Sequence, residues 1–267
     1  MHMPENEASR PALPGDRVTR GLVWGGFFAL ITLAWAALWV MAQDRAALAG
    51  PFGLALLADL CAAGAGQAGW PALVGMWAAM AAGMMMPTAA PALVTWTRLP
   101  PAASGGAAGT AALATGYLAV WLAAAGGFAG VQGALARAAL VGPDGASLSP
   151  WLAAALLALA GVYQFSAAKA ACLVRCRAPM PFFLAHWRSG LAGAFAAGLR
   201  LGAVCLGCCW ALMLLAFVGG MASLALMGLA TVLMVVEKMP QAGRYVTRPL
   251  GWACLAAAAL TLAGVPR

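Results

Sequence analysis

AGAFAAGLRLGAVCLGCCWALMLLAFV, residues 192–218, is the stretch that decides the fold class of this chain. It contains a single charged residue, Arg200, and exceeds the roughly 20 apolar residues that a helix needs to cross a bilayer. Its apolar residues are continuous and do not alternate with polar ones, which favours a helix over a strand of a closed barrel. The stretch therefore predicts a transmembrane helix.

The rest of the chain has the same apolar character. Of its 267 residues, 64% are hydrophobic and 8% are charged, whereas roughly a quarter of the residues in a soluble domain are charged. We predict an all-α polytopic transmembrane bundle, with a polar cytoplasmic tail at 1–21 and a single domain at 22–267. The predicted spans lie at about 22–42, 71–95, 108–131, 151–171, 192–218, 222–237 and 249–265.

Two apolar segments are shorter than the others and bear on the predicted number of spans. The sixth span, 222–237, is short, so a bundle of six spans is the alternative. The apolar stretch at 52–63 is too short to cross a bilayer, and we expect it to lie at the interface or to re-enter.

Positive charge predicts the orientation. When the N-terminus is placed in the cytoplasm, 12 of the 15 lysines and arginines lie on the inner side, and the outer three are Arg45, Arg137 and Arg267. With seven spans the C-terminus then lies outside. The net charge of +8 comes from the connections between spans, so we expect no nucleic-acid partner.

Three thiols lie within five residues of the predicted fifth span, at Cys205, Cys208 and Cys209. Cys205 and Cys209 are four residues apart and share a helix face, which Met213 extends by another four. Thiolate and thioether together select soft ions, Cu(I) foremost, although Ag(I) and Zn(II) also bind thiolates. The seven Asp and Glu residues lie mostly in tails and loops and are too few for a hard-ion cage. The pattern predicts a soft-metal site.

The second predicted span carries a matching line of thioethers. Met76, Met80 and Met84 recur at four-residue spacing, and Met85 follows directly. Pro87 is expected to open this helix and to free backbone carbonyls near the sulfur atoms. We predict that this methionine face holds the ion together with the thiols of the fifth span.

A further pair of thiols, Cys172 and Cys176, ends the fourth predicted span at the cytoplasmic side. The pair is also four residues apart, and we predict that it captures or releases the ion. Within the spans, Glu237 is expected to pair with Lys169 or Arg200. The residues expected to support the site without ligating the ion are Glu237, Lys169, Trp77 and Trp210.

Two other classes of function fit the same residues. Cys205 and Cys208 form a C-x-x-C pair, the spacing of dithiol exchange centres, so a membrane thiol–disulfide oxidoreductase is the first alternative. The second is a helical membrane scaffold with inert thiols, because methionine and cysteine also serve as packing residues. Single thiols such as Cys61 and Cys254 fit packing best.

Four motifs occur in order over about residues 70–245. They are MWAAMAAGMMMP at 76–87, KAACLVRCRAP at 169–179 with Trp187 and Gly190 after it, GAVCLGCCWALM at 202–213, and Glu237-Lys238 with Pro240. Together they resemble a bacterial family of predicted metal-binding integral membrane proteins. Its best-described relatives are membrane copper chaperones that help to load tyrosinase-type polyphenol oxidases.

This resemblance implies a Cu(I) chaperone or transfer protein, and not an enzyme, in a bacterial inner membrane. It implies that copper passes to a copper-dependent enzyme or carrier protein. When the metal ligands of the family are transferred to the matching positions of this chain, they are the methionines of the first motif and the thiols of the second and third motifs.

Overall fold

The computed structural model describes residues 14–42, 70–142, 144–220 and 223–264. These residues form helices and no β-strand, apart from an isolated bridge between Val141 and Ser147, so the predicted all-α class is confirmed. The helices are α1 (Pro14–Met41), α2 (Trp70–Thr97), α3 (Pro101–Ser104), α4 (Gly106–Arg137), α5 (Pro150–Gln164), α6 (Ala167–Arg177), α7 (Pro179–Ala185), α8 (Gly190–Met213), α9 (Ala216–Gly219), α10 (Leu224–Lys238) and α11 (Gly243–Leu262). The predicted interfacial stretch at 52–63, with Cys61, lies outside the described residues.

Four helical stretches are long and apolar enough to cross a membrane, and a bent pair of helices could count as a fifth. The four are Val18–Met41, Trp70–Thr97, Gly106–Arg137 and Gly190–Gly219. The bent pair is α5 and α6, which meet at 62°. Our fourth predicted span is therefore not one straight helix. The break arises at Ser166, whose hydroxyl accepts from the Lys169 amide and so caps the start of α6.

The last two predicted spans do not meet the same criteria. Helix α10 has 15 residues, which at 1.5 Å per residue is shorter than the ~30 Å apolar core of a bilayer. Helix α11 has 20 residues, but its first two turns carry Arg244 and Arg248. Seven spans thus stay a prediction.

Helix α4 packs against both α2 and α8. Glycine residues allow the backbones of α4 and α8 to pack at a short distance. A Cβ added at Gly198 would lie 2.1 Å from the Leu113 carbonyl oxygen, and one at Gly116 would lie 2.2 Å from that of Phe195. Small residues let two helix backbones approach in this way. The contact holds the thiol-bearing half of α8 against Tyr117 of α4.

Helix α2 runs through Pro87 without interruption, contrary to the expected opening. Proline lacks the N–H that would bond the carbonyl four residues earlier, which here belongs to Gly83. The Trp35 indole of α1 donates to that carbonyl at 3.0 Å. The freed acceptor is therefore satisfied by a neighbouring helix, which fixes α1 on α2.

We predict that Gly198→Ala lowers the free energy of unfolding by about 2 kcal/mol, because the added methyl group must force two backbones apart. Chemical denaturation in detergent would measure the change. The matched control is Gly127→Ala on α4, where a Cβ meets nothing within 4 Å. The control should be neutral or slightly stabilising, because alanine favours a helix more than glycine does. Equal effects of the two substitutions would contradict the close-contact account.

Candidate metal centre

The three thiols of α8 meet inside the bundle. The Sγ atoms of Cys205, Cys208 and Cys209 lie within 4.8 Å of one another, and those of Cys208 and Cys209 are 3.2 Å apart. The Cys208 thiol also donates to the Cys205 carbonyl oxygen at 3.1 Å. Each of the three residues is at most 1% exposed. One helix turn thus presents three sulfur atoms at a separation that a single ion can bridge.

Polar groups from three other helices surround the Cys205 sulfur. The Tyr117 hydroxyl oxygen lies 2.9 Å from this Sγ and the Lys238 Nζ lies 2.8 Å from it. Lys238 also donates to the Thr88 hydroxyl oxygen at 2.6 Å. Thr88 and Tyr117 both donate to the Met85 carbonyl oxygen, at 2.7 and 3.0 Å. Cys205 is therefore held by a hydrogen-bonded frame that spans α2, α4 and α10.

Lys238 is the functional residue that the sequence analysis missed as part of the site. It is 5% exposed, and the ion pair found among the described residues does not include it. A buried ammonium without an anion is costly, and the Cys205 sulfur is the neighbour that can carry negative charge. Thiolate is also the form of cysteine that binds metal. The signal was present in the fourth motif, Glu237-Lys238, but the sequence analysis gave a role only to Glu237.

The second pair of predicted thiols reaches the same centre from α6. Cys176 lines a small cavity together with Cys205 and Lys238. The Cys172 Sγ lies 2.9 Å from the point where a Cβ of Gly207 would be. Because Gly207 has no side chain, α6 can approach α8 closely. Both α6 cysteines are half-buried, in contrast to the fully buried α8 thiols.

Three of the predicted methionine ligands line a cavity whose lining includes none of the thiols. Met80, Met84 and Met213 line a different, apolar cavity of about 320 Å³. Met85 touches the thiol centre through its backbone carbonyl. Met76 is buried in the core but lines neither cavity. Helical spacing puts Met76, Met80 and Met84 on one face of α2, but it could not say which neighbouring element that face contacts.

A buried ion pair positions α10 beside α6. The Lys169 Nζ and the Glu237 Oε2 are 2.9 Å apart, and each side chain is 1% exposed. Arg177 donates from its Nε to the Glu237 carbonyl oxygen at 2.8 Å. Arg200, the other predicted partner, instead donates to the His186 carbonyl oxygen at 3.3 Å. Since Lys238 follows Glu237 directly, these contacts also set where the Lys238 ammonium lies.

The two predicted supporting tryptophans make contacts in different parts of the bundle. The Trp210 ring packs edge-on against Tyr163, whose hydroxyl donates to the Gly207 carbonyl oxygen within the thiol-bearing turn. Trp77 donates to the Gln132 side chain at 2.8 Å and stacks on Phe128. Trp210 therefore supports the thiol helix, whereas Trp77 joins α2 to α4.

One comparison with known proteins gives a match. The model of the PpoB2 family, described as a copper chaperone, matches residues 74–261. That range includes the thiols of α6 and α8 as well as Lys238. No curated protein and no solved structure matches the chain significantly.

We predict that Lys169→Met and Glu237→Gln each lower the free energy of unfolding by about 3–5 kcal/mol, because each leaves a buried polar group without its partner. The double variant Lys169→Met/Glu237→Met should recover most of that loss, because neither charge then remains. Thermal unfolding in detergent would measure all three variants. Single variants as stable as the wild type, or a double variant that loses the sum of both, would contradict a coupled buried pair.

Proposed function

The chain belongs to the PpoB2 copper chaperone family, and from this premise we propose that it is a membrane protein that binds Cu(I) through buried thiols and delivers it to a copper-dependent enzyme or carrier protein. The observation that carries the proposal is the convergence of three buried Sγ atoms within 4.8 Å. The description of the family itself points to metal handling and not to catalysis. Copper is in this account the cargo of the protein.

The donor set supports a soft monovalent ion. Cu(I) is satisfied by two or three sulfur ligands, and the cluster of α8 supplies three. Hard ions need several oxygen ligands, which the cluster does not offer. His186, the histidine in the described part of the chain, is exposed and bonded to the Phe182 carbonyl, away from the thiols. Ag(I) shares this sulfur chemistry and can serve as a probe, while Zn(II) would need a fourth ligand such as Cys176.

Charge balance supports the same ion. Two thiolates with one Cu(I) leave one negative charge, which the Lys238 ammonium can neutralise at 2.8 Å from the Cys205 sulfur. Neutrality matters because charge that stays uncompensated in a low-dielectric interior is strongly unfavourable. Lys238 therefore acts as a fixed counter-ion for a bis-thiolate Cu(I) complex.

The α6 thiols are the entry or exit point in this proposal. Cys176 is half-buried and lines a small cavity with Cys205, so a copper ion can pass between these two thiols by exchange of one sulfur ligand for another. Cys172 lies next to Gly207, one turn before Cys176, and Cys176 itself stands between Arg175 and Arg177 at the basic end of α6. The direction of transfer is not part of the proposal.

We further propose the inner membrane of a bacterium as the location, with residues 22–267 as one transmembrane domain, residues 1–21 as a cytoplasmic tail and about seven spans. The four apolar helical stretches support membrane insertion, and the bent α5–α6 pair supports a fifth crossing. The distribution of lysine and arginine supports a cytoplasmic N-terminus.

Burial weighs against thiol–disulfide exchange. An oxidoreductase needs a partner thiol or a quinone to reach its dithiol. Cys205 and Cys208 are 1% and 0% exposed, so neither sulfur is open to a partner molecule. A dehydrated ion can enter such a site more easily than a second protein can. A scaffold with inert thiols would not need the buried ammonium of Lys238 next to the Cys205 sulfur.

We predict that purified wild-type protein binds Cu(I) under reductant and that Cys205→Ser/Cys208→Ser/Cys209→Ser loses this binding, because a serine hydroxyl is a poor ligand for a soft ion. Competition with a chromogenic Cu(I) chelator would measure affinity and stoichiometry. The matched control is Cys254→Ser, because Cys254 is also a buried thiol but belongs to α11.

Wild-type copper binding by the triple variant would overturn the proposed site. A wild-type protein that binds no copper but cycles a Cys205–Cys208 disulfide with a quinone would support the oxidoreductase instead. Equal unfolding temperatures of the triple variant and the control would show that lost binding is not lost folding.

We predict that Lys238→Met weakens Cu(I) binding about 10- to 100-fold without changing the stoichiometry, because it removes one charge-assisted contact of ~1.5–3 kcal/mol. The same chelator competition would measure it. Arg200→Met, which removes a positive charge elsewhere on α8, should bind as tightly as the wild type. An unchanged affinity for Lys238→Met would show that the ammonium does not stabilise the bound ion.

A further inference from the structure

The buried thiol centre has a fixed positive charge on one side. The Lys238 Nζ lies 2.8 Å from the Cys205 Sγ, and this lysine is 5% exposed. Its other hydrogen-bond partner in the described part of the chain is the uncharged Thr88 hydroxyl. The carboxylate of Glu237, the preceding residue, is paired with Lys169 at 2.9 Å. The charge of Lys238 must therefore be balanced by the thiols and by the ion that they bind.

The number of thiols limits which ions can meet that balance. A group of n thiolates around an ion of charge z, next to one ammonium, is neutral when n equals z + 1. A monovalent ion meets this condition with two thiolates, which the cluster of Cys205, Cys208 and Cys209 supplies. A trivalent ion would need four thiolates, and the cluster has three thiols. Charge that stays uncompensated is strongly unfavourable in an interior of low dielectric constant.

Trivalent arsenic is the soft ion for which this limit matters most. As(III) binds three thiolates as a pyramidal, uncharged complex, so three clustered thiols without a neighbouring charge would suit it well. It takes no fourth sulfur, and Cys176 in the adjacent small cavity therefore cannot restore the balance. A divalent ion reaches neutrality when all three thiols ionise, but Zn(II) would still lack its fourth ligand.

The two binding reactions differ in what they leave opposite Lys238. Cu(I) binds the Cys205 thiolate and displaces one proton from a second thiol, so the ion and its two thiolates together carry one negative charge. Arsenous acid, As(OH)₃, forms three As–S bonds with the Cys205 thiolate and two thiols, takes up one proton and releases three waters. Its product is uncharged, so the Lys238 ammonium loses its anion. Arsenic binding therefore costs the contact that copper binding keeps.

We propose that Lys238 determines the ion selectivity of the thiol centre: its ammonium favours monovalent soft ions and disfavours As(III), which three buried thiols would otherwise bind. The inference rests on the proposed function, because it concerns the same thiols. It explains how a cluster with a third thiol accepts Cu(I) and rejects another ion with high affinity for sulfur. Lys238 acts through the charge that it places 2.8 Å from the Cys205 sulfur, and not as a ligand.

Separate titrations of the pre-reduced protein with Cu(I) and with arsenite test this directly. In Lys238→Met the ratio of the two affinities should shift towards arsenite by about 10-fold or more relative to the wild type. The shift has two causes, because Cu(I) loses a charge-assisted contact and As(III) no longer leaves a buried ammonium without an anion. Arsenic-edge X-ray absorption of the loaded variant should show three sulfur neighbours.

Two further substitutions separate the charge of Lys238 from its shape. Lys238→Gln removes the charge but keeps a donor for the Thr88 hydroxyl, and it should shift the ratio as Lys238→Met does. It also tests the inference if Lys238→Met does not fold. Lys238→Arg keeps the charge and should keep the wild-type ratio. The matched control is Arg200→Met, which removes a positive charge of α8 that donates to the His186 carbonyl oxygen, and its ratio should equal that of the wild type.

The outcomes distinguish this inference from the proposed function. An unchanged ratio in the Met and Gln variants, with Cu(I) still bound, would overturn the selectivity role of Lys238 and leave the copper site standing. An equal shift in Lys238→Arg would also overturn it, because shape and not charge would then set the ratio. A wild type that binds no Cu(I), but gains arsenite binding in Lys238→Met, would overturn the proposed function and keep the charge rule.

Discussion

The contact between the Lys238 ammonium and the Cys205 sulfur, at 2.8 Å in a dry interior, is the interaction on which the rest of the structure depends. A buried cation needs an anion, and the hydrogen-bond partners of this ammonium in the described part of the chain are the Cys205 sulfur and the Thr88 hydroxyl. The surrounding fold maintains this contact. The Lys169–Glu237 pair fixes α10 against α6, and the glycines of α8 bring Cys205 up to Tyr117. The packing of the helices and the chemistry of the thiol site therefore depend on the same contacts.

The two sulfur environments differ in a way that suits the transfer of an ion. The thiols lie beside a fixed positive charge and polar hydroxyls, whereas Met80, Met84 and Met213 line an apolar pocket. Thiolates with a counter-ion favour tight binding. The half-buried Cys172 and Cys176 belong to α6, which carries Arg175 and Arg177 in its last turn. In our proposal the ion passes between these thiols and those of α8.

Much of this site could be predicted from the sequence because its thiols are close neighbours along the chain. Three cysteines within five residues of one helix must lie close together, and their ligand chemistry follows from sulfur. The all-α class followed from composition in the same way. The bend between α5 and α6 is also local, but it depends on Ser166 as a cap inside an apolar run that otherwise reads as continuous.

What could not be predicted depends on neighbours that are distant in sequence. Lys238 lies 33 residues from Cys205, and its position at a helix end is equally typical of a side chain that reaches for the interface. Four-residue spacing put Met80 and Met84 on one face of α2, but their separation from the thiols depends on how α8 and α10 pack. The spacing of residues along a helix shows which side chains share a face. It does not show which neighbouring helix that face contacts.

The central claim is that the buried thiols bind copper as Cu(I), and copper-edge X-ray absorption of the wild-type protein loaded with one equivalent tests it most directly. The account predicts the edge of a monovalent copper ion with sulfur as its only close ligand, in a set of two or three. A Cu(II) edge, or a first shell of nitrogen and oxygen, would contradict it.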